Sequence, residues 1–255
     1  MRLAELLAAL RRDGRQQSGL APDLIPPDEG AAYRVASRVA DILGWKVGGW
    51  KIAANRPAMQ QALRAGGPIH GRVFALFIHE SPATLRHAGL LHPIVECEYA
   101  VRLGADLPPR GTPYGEAEVT AAIAAIHPAI EVAECRFVHD AAFPPLPAIL
   151  ADGCGSGSLV LGTAIADWQR RDIASQPGVL RVNGRERRRG SAVEAVEHPI
   201  VPLIWLANAL SRAGIGLSAG QVVSTGTCSG MVLARGGEEH EAAFGNGARV
   251  RVRFA

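Results

Sequence analysis

The chain has 255 residues, 48% of them hydrophobic and 20% charged, enough to bury a substantial core and too apolar for a disordered chain or a coiled coil. A formal net charge of +3 is too mild to select nucleic acid, and no apolar stretch reaches the ~20 residues that span a bilayer. With no signal-peptide pattern after Met1-Arg2-Leu3, the expectation is a cytoplasmic protein with neither nucleic-acid nor membrane partner.

Leu3, Leu6, Leu7 and Leu10 recur at helical spacing and predict an amphipathic first helix ending in Arg11-Arg12. Pro26-Pro27-Asp28-Glu29 opens a second, with Ala32, Val35, Val39 and Leu43 on one side and Gly44 as its stop. Asn55 is the expected cap of a short helix over residues 57–63. Residues 1–67 therefore read as a mostly helical portion, and 68–255 as a β-rich portion of the same compact unit. Its β-like runs fall at 71–78, 94–103, 129–135, 158–163, 178–189, 221–226, 230–235 and 247–254, with helices expected over 115–126 and 199–213. Asn183-Gly184 predicts a type I′ hairpin turn leading into the solvated cluster Arg185–Arg189. Without βαβ alternation, the pattern predicts an α+β fold with a mixed, mostly antiparallel β core and flanking helices.

Glu96-Cys97-Glu98 lies inside the run from Pro93 to Val101, otherwise made of core-type residues. On a strand, Ile94, Glu96, Glu98 and Ala100 share one face and Val95, Cys97, Tyr99 and Val101 the other. Two carboxylates on one half-buried face suit a hard cation such as Mg²⁺, Mn²⁺ or Ca²⁺. Glu131, in the apolar run 128–133, is a third candidate ligand. The alternative is a solvated strand face with Arg102 nearby. The four cysteines, at 97, 135, 154 and 228, show no C-x-x-C or zinc spacing. The eight histidines form no H-E-x-x-H, and no G-x-S-x-G elbow is present.

Of 27 Lys and Arg residues only Lys46 and Lys51 are lysine. Lysine can be desolvated into a titratable acid or base, which arginine cannot, so one of this pair is a candidate for proton chemistry. Lys51 begins an apolar-flanked segment after Trp50, whereas Lys46 sits where a loop can keep it hydrated. Two glycine-rich segments, 152–158 and 224–230, offer small hydroxyls and backbone N–H groups to a carboxylate, or serve as tight turns of a β core. The first lacks the lysine of a P-loop.

Taken in order, Gly49-Trp50-Lys51-Ile52, Met59-Gln60-Gln61-Ala62-Leu63, Ile94–Ala100, Pro128-Ala129-Ile130-Glu131-Val132, Ala151-Asp152 through Ser156-Gly157, Val160-Leu161-Gly162, Trp205-Leu206-Ala207-Asn208 and Gly220–Thr227 resemble the 2-keto-4-pentenoate hydratase and 4-oxalocrotonate decarboxylase branch of the fumarylacetoacetate hydrolase superfamily. The resemblance implies the superfamily's mixed β-roll or sandwich core with an N-terminal helical portion, and homo-oligomeric assembly. It implies Mg²⁺ or Mn²⁺ held by Glu96, Glu98 and Glu131, Lys51 as the acid/base, and Ser156 and Thr227 orienting the carboxylate of a small 2-oxo acid or dienol substrate. The expected activity is hydration of a 2-hydroxy-2,4-dienoate in the degradation of aromatic compounds. Decarboxylation of a 2-oxo acid of the 4-oxalocrotonate type needs the same charge stabilisation, and a non-catalytic 2-oxo acid binding protein would keep the glutamates without requiring Lys51. Two segments depart from the family pattern. Pro68-Ile69-His70-Gly71 lacks the acid of the usual P-D-aromatic-G, and Ala53-Ala54-Asn55 replaces Gly-Leu-Thr.

Overall fold

The structure is a computed structural model that describes residues 2–245 and 247–255. Two β-sheets face each other, an α+β arrangement with the helices outside. The larger is built from β1 (Val47–Ala53), β2 (Ile69–Phe74), β3 (Ile78–Glu80), β5 (Ile94–Leu103), β6 (Ile123–Ala133), β7 (Ser158–Leu161), β10 (Val222–Ser224) and β11 (Met231–Leu233). Its order is β2-β1-β10-β5-β6-β7-β3, with β11 also pairing β5. The smaller is built from β4 (Ala83–Leu85), β8 (Pro177–Val182), β9 (Arg185–Ser191), β12 (Glu239–Phe244) and β13 (Arg249–Phe254), in the order β4-β13-β12-β8-β9.

Alternation along β5 explains the core. Val95, Cys97, Tyr99 and Val101 are buried in one cluster with Leu180, Phe244, Val250, Val252 and Phe254 of the smaller sheet. The Tyr99 ring lies 4.6 Å from that of Phe244, and its hydroxyl, too polar to bury unpaired, donates to Ile173 O at 2.9 Å. A second cluster joins α1 (Arg2–Asp13), α2 (Glu29–Leu43) and α5 (Leu146–Ala151) through Leu3, Leu7, Ala32, Val39, Phe137 and Leu150. Asp28 caps α2 by accepting from Ala31 N at 2.6 Å, and Gly44 ends it in the left-handed region at φ 63°. The long apolar side of α7 (Ile200–Arg212) buries Leu203, Leu206, Ala207 and Leu210. Asn183 and Gly184, both at positive φ, turn β8 into β9 as the type I′ pattern requires. No helix among the described residues is long and apolar enough to cross a membrane.

Three local expectations are corrected. The helix expected over 115–126 stops early: α4 is Glu116–Ala121, and Ile123 and Ile126 lie in β6 opposite Leu103 and Val101. Their three-residue spacing fits a helix, but pairing with a long neighbouring strand buries both. Asn55 does not cap α3 (Pro57–Leu63), whose N-cap is Arg56; its side chain donates to Thr225 O at 3.0 Å instead. The run 71–78 divides into β2 and β3 around a 3₁₀ turn at Ala75–Phe77. Residues 47–53, inside the helical portion, form a strand that runs parallel to β10 and antiparallel to β2.

That strand packs without room for a side chain at one point. A Cβ on Gly49 would lie 1.9 Å from Val222 O of β10. Gly49→Ala is expected to destabilise the protein by about 3 kcal/mol, a fall in melting temperature of roughly 10 °C. Gly67→Ala, where a Cβ meets open space, should leave it unchanged. Thermal unfolding of the two variants measures the difference.

Candidate metal centre

Register brings the three glutamates together. In the antiparallel β5–β6 pair, Glu96 stands directly opposite Glu131, and Glu98 opposite Ala129. Cross-strand partners share a face, as do residues two apart, so all three carboxylates project from the side of the sheet opposite Tyr99 and the inter-sheet core. One oxygen from each lies within 4.8 Å of the others. Glu96, Glu98 and Glu131 are 9%, 1% and 3% exposed, which removes the solvated-face alternative. Arg102 pairs with Glu80 at 3.6 Å.

Lys51 approaches the cluster from β1. It lies level with Ser224 of β10, which lies level with Ala100 of β5, and its Nζ reaches within 3.1 Å of Glu131 Oε1. Burial disfavours the ammonium, but the charges of Glu131, Cys154, Glu96 and Glu98 outweigh it and hold the lysine's pKa above its ordinary value. Burial and the neighbouring Glu131 push Glu96 up to about 7, against the pull of Lys51. Burial, Glu131 and Glu96 also push Glu98 well above the usual carboxylate range, opposed by Ser224 and Lys51. Lys46 is exposed.

A break in the sheet holds Glu98. β10 pairs with residues 100–102 of β5 and β11 with residues 94–96. Because β6 covers the other edge of β5, β10 and β11 act as one interrupted strand whose gap falls beside Glu98. Here the Ser224 hydroxyl donates to Glu98 Oε2, and Gly226 N–H donates to the same oxygen at 2.9 Å. Both donors fall on the one oxygen. Thr225 fastens the turn by donating from its N–H and its hydroxyl to Tyr99 O at 3.1 and 3.0 Å. A Cβ on Gly226 would meet Asn55 Nδ2 at 2.3 Å, and its φ is 110°, so only glycine fits. The residues Ser224-Thr225-Gly226 stand in the family pattern, but their grip on Glu98 depends on long-range pairing that no local spacing reveals.

Ser156 follows α5 in the loop before β7. It is buried, and its hydroxyl has no hydrogen-bond partner. Thr227 lies in the turn between β10 and β11, where its hydroxyl accepts from Gly230 N at 3.0 Å and donates to Gly230 O at 3.3 Å. It is thus engaged locally. Of the two departures from the family pattern, Asn55 adjoins the Glu98 turn, whereas His70 lies level with Ile52 on the opposite face from Lys51. His70 stacks on Tyr33 at 4.3 Å, and burial with the nearby Arg72 lowers it to about 4, so it stays neutral.

The donor set fits a hard divalent ion. All three ligand atoms are carboxylate oxygens; Glu131 Oε1 meets only the Lys51 ammonium, and Oε2, also buried, has no hydrogen-bond donor. Such oxygens are uncommon unless an ion takes them. No histidine or cysteine joins the cluster among the described residues, which argues against zinc.

Residues 69–255 match the family described as fumarylacetoacetate (FAA) hydrolase C-terminal. The chain belongs to the fumarylacetoacetate hydrolase family. Over 260 residues it is 28% identical to a 2-keto-4-pentenoate hydratase of Paraburkholderia phymatum, covering 100% of this chain and 98% of that protein. It is 28% identical over 206 residues to the 2-hydroxyhexa-2,4-dienoate hydratase of Comamonas testosteroni, covering 80% and 76%. Among solved structures, the 4-oxalocrotonate decarboxylase from Pseudomonas putida G7, complexed with magnesium and adipate, shares the fold with a TM-score of 0.89 at 23% identity, covering 100% of this chain and 96% of that one.

In the metal-free protein the raised pKa of Glu96 means that the folded state binds a proton more tightly than the unfolded chain. Stability from this group should therefore fall as pH rises from its ordinary 4.5 to about 7. Glu96→Gln is expected to flatten that fall, to melt higher than the parent above about pH 7, and to lose stabilisation by added Mg²⁺. Melting curves across this window, with Mg²⁺ and with a chelator, check all three; a variant still stabilised by Mg²⁺ would remove Glu96 from the ligand set.

Proposed function

We propose that the protein is a divalent-metal-dependent hydratase that adds water to a 2-hydroxy-2,4-dienoate of the 2-keto-4-pentenoate type, giving a 4-hydroxy-2-oxo acid. The observation that carries this is the buried triad Glu96, Glu98 and Glu131 with the Lys51 ammonium 3.1 Å from Glu131. The hydratase relatives, 28% identical across nearly the whole chain, support the choice of reaction. All-oxygen ligation favours Mg²⁺ or Mn²⁺. Free, buried thiols at all four cysteines suit a cytoplasmic enzyme, and homo-oligomeric assembly goes with the same proposal.

When bound, the ion supplies Lewis acidity toward the 2-oxo acid oxygens and offsets the carboxylate charge that holds the proton on Lys51. The remaining work falls to the chain. Lys51, protonated beside Glu131, delivers its proton to C5 of the dienol while the 2-hydroxyl proton passes to solvent, from which Lys51 is reprotonated, leaving an α,β-unsaturated 2-oxo acid. Water then adds its oxygen at C4 and a proton at C3. Ser156, with a buried hydroxyl otherwise unpaired, donates to the substrate carboxylate. Thr227, next to Gly226, closes the following turn through its hydroxyl and Gly230. Burial of the triad excludes competing water from the oxygens that must bind the ion.

The test is direct. Mg²⁺-loaded protein should consume the absorbance of 2-hydroxypenta-2,4-dienoate and release no CO₂ from 2-oxohex-3-enedioate. Faster CO₂ release than dienoate loss would assign decarboxylation, and neither reaction alongside Mg²⁺-dependent oxalate binding would assign a binding protein.

Lys51→Met is expected to lower turnover by about 10³-fold, the scale of a lost general acid, while Mg²⁺ affinity stays close to that of the parent. Lys46→Arg should be silent. Steady-state kinetics with calorimetric Mg²⁺ titration separates the two lysines, and an active Lys51→Met would reverse the assignment.

A further inference from the structure

Two guanidinium groups are buried together behind the loop that carries Ser156. Arg11 comes from α1 and Arg136 from just beyond β6, and both are buried. One carboxylate lies between them. Arg136 Nε donates to Asp152 Oδ1 and Oδ2 at 2.8 and 3.0 Å, and its backbone N–H donates to Oδ2 at 3.0 Å. Arg11 Nη2 stands 3.7 Å from Oδ1. Glu134 adds negative charge near both arginines without bonding to either, and burial with the adjacent Arg136 still lowers Arg11 to about 9. Ion pairing alone does not account for such an arrangement.

Their other N–H groups show what they hold. Arg11 donates to Asp152 O at 2.7 Å and to Ser156 O at 3.2 Å. Arg136 Nη2 donates to Ser156 O at 3.1 Å, with a longer contact to Asp152 O at 3.4 Å. Both guanidiniums grip the same two backbone oxygens, at the start and end of the loop 152–156. Between those points Gly153, Cys154 and Gly155 take φ of 89°, 60° and 69° in succession. A left-handed cysteine is costly and persists only where the surroundings impose it.

The loop touches both sides of the metal centre. A Cβ on Gly71, the cross-strand partner of Lys51, would meet Gly153 O at 2.0 Å and Cys154 Cβ at 3.1 Å. Gly155 O accepts from Glu134 N at 2.8 Å, just beyond Glu131 along the same chain segment. Ser156 ends the loop with a buried hydroxyl that bonds to nothing else in the protein.

We propose that Arg11 and Arg136 are positioning residues that clamp the Asp152 and Ser156 carbonyls, fix the left-handed loop, and so aim the Ser156 hydroxyl at the carboxylate of the bound 2-oxo acid. The inference rests on the role given to Ser156 above. It makes α1, remote in sequence from every site residue, a working part of the binding site. Arginine suits the task because its planar fork spans two carbonyls, where a lysine reaches one.

Oxalate binding to the Mg²⁺-loaded full chain, followed by calorimetry, tests the clamp. Arg11→Met should weaken oxalate about tenfold, the scale of one aligned hydrogen bond to a charged group, and Arg11→Lys less, with Mg²⁺ affinity unchanged in both. In a Ser156→Ala background the same substitutions should have almost no further effect, since Arg11 acts through Ser156. A purely structural role would give equal losses in both backgrounds or a matching loss of Mg²⁺ affinity, and either result overturns the clamp. If Arg11→Met does not fold, Arg11→Lys carries the same cycle. Parent protein that fails to bind oxalate refutes the 2-oxo acid reading and the clamp with it, whereas unchanged oxalate binding in both Arg11 variants refutes the clamp alone.

Discussion

Three carboxylates buried side by side repel one another and lose their hydration, and much of the surrounding structure answers that constraint. Strand register makes the crowding unavoidable: once β5 and β6 pair with Glu96 opposite Glu131, the acids must share a face. Lys51 returns one positive charge from β1. Ser224 and Gly226 give Glu98 two donors on one oxygen, which orients it and spares the other oxygen. What remains is excess negative charge with a bare oxygen, Oε2, on Glu131, an arrangement that a divalent ion satisfies and a hydrophobic core would not retain. The second sheet, packed on Tyr99 and its neighbours, gives β5 the rigidity to hold that charge in place.

Arginine and lysine divide the work in this chain by their chemistry. Buried guanidinium groups that must stay charged and span several acceptors are found at Arg11 and Arg136. The buried position beside the glutamates, where the proposed mechanism requires a proton to leave, is lysine. A guanidinium at residue 51 could pair with Glu131 but could not give up its proton at ordinary pH.

Much of this architecture is visible in the amino-acid order because it is set by local pattern. Alternation in 94–101 separates the acids from the core residues, Asp28 and Gly44 bracket α2, and Asn183-Gly184 turns a hairpin. Ile123 and Ile126 mislead because spacings of three occur in both helices and bulged strands, and their state is decided by Val101 and Leu103 across the ladder. β1 is hidden by its glycines, which lower strand propensity locally and are present because Ala75 and Ile78 crowd Gly48 and Val222 O crowds Gly49. Asn55, Ser224 and Arg11 act on residues more than a hundred positions away. Nothing within a short window distinguishes such partners from ordinary polar residues of a cap, a strand end and a helix.

The interrupted strand separates two obligations that a continuous one would combine. β10 and β11 keep β5 in register on either side of the gap; between them Thr225 and Cys228 still bond their N–H groups to β5, while Gly226 turns its own to Glu98. Residues 225 and 226 are thereby tied to the strand and to Glu98, and any change of length or side chain in this turn has to fall after them.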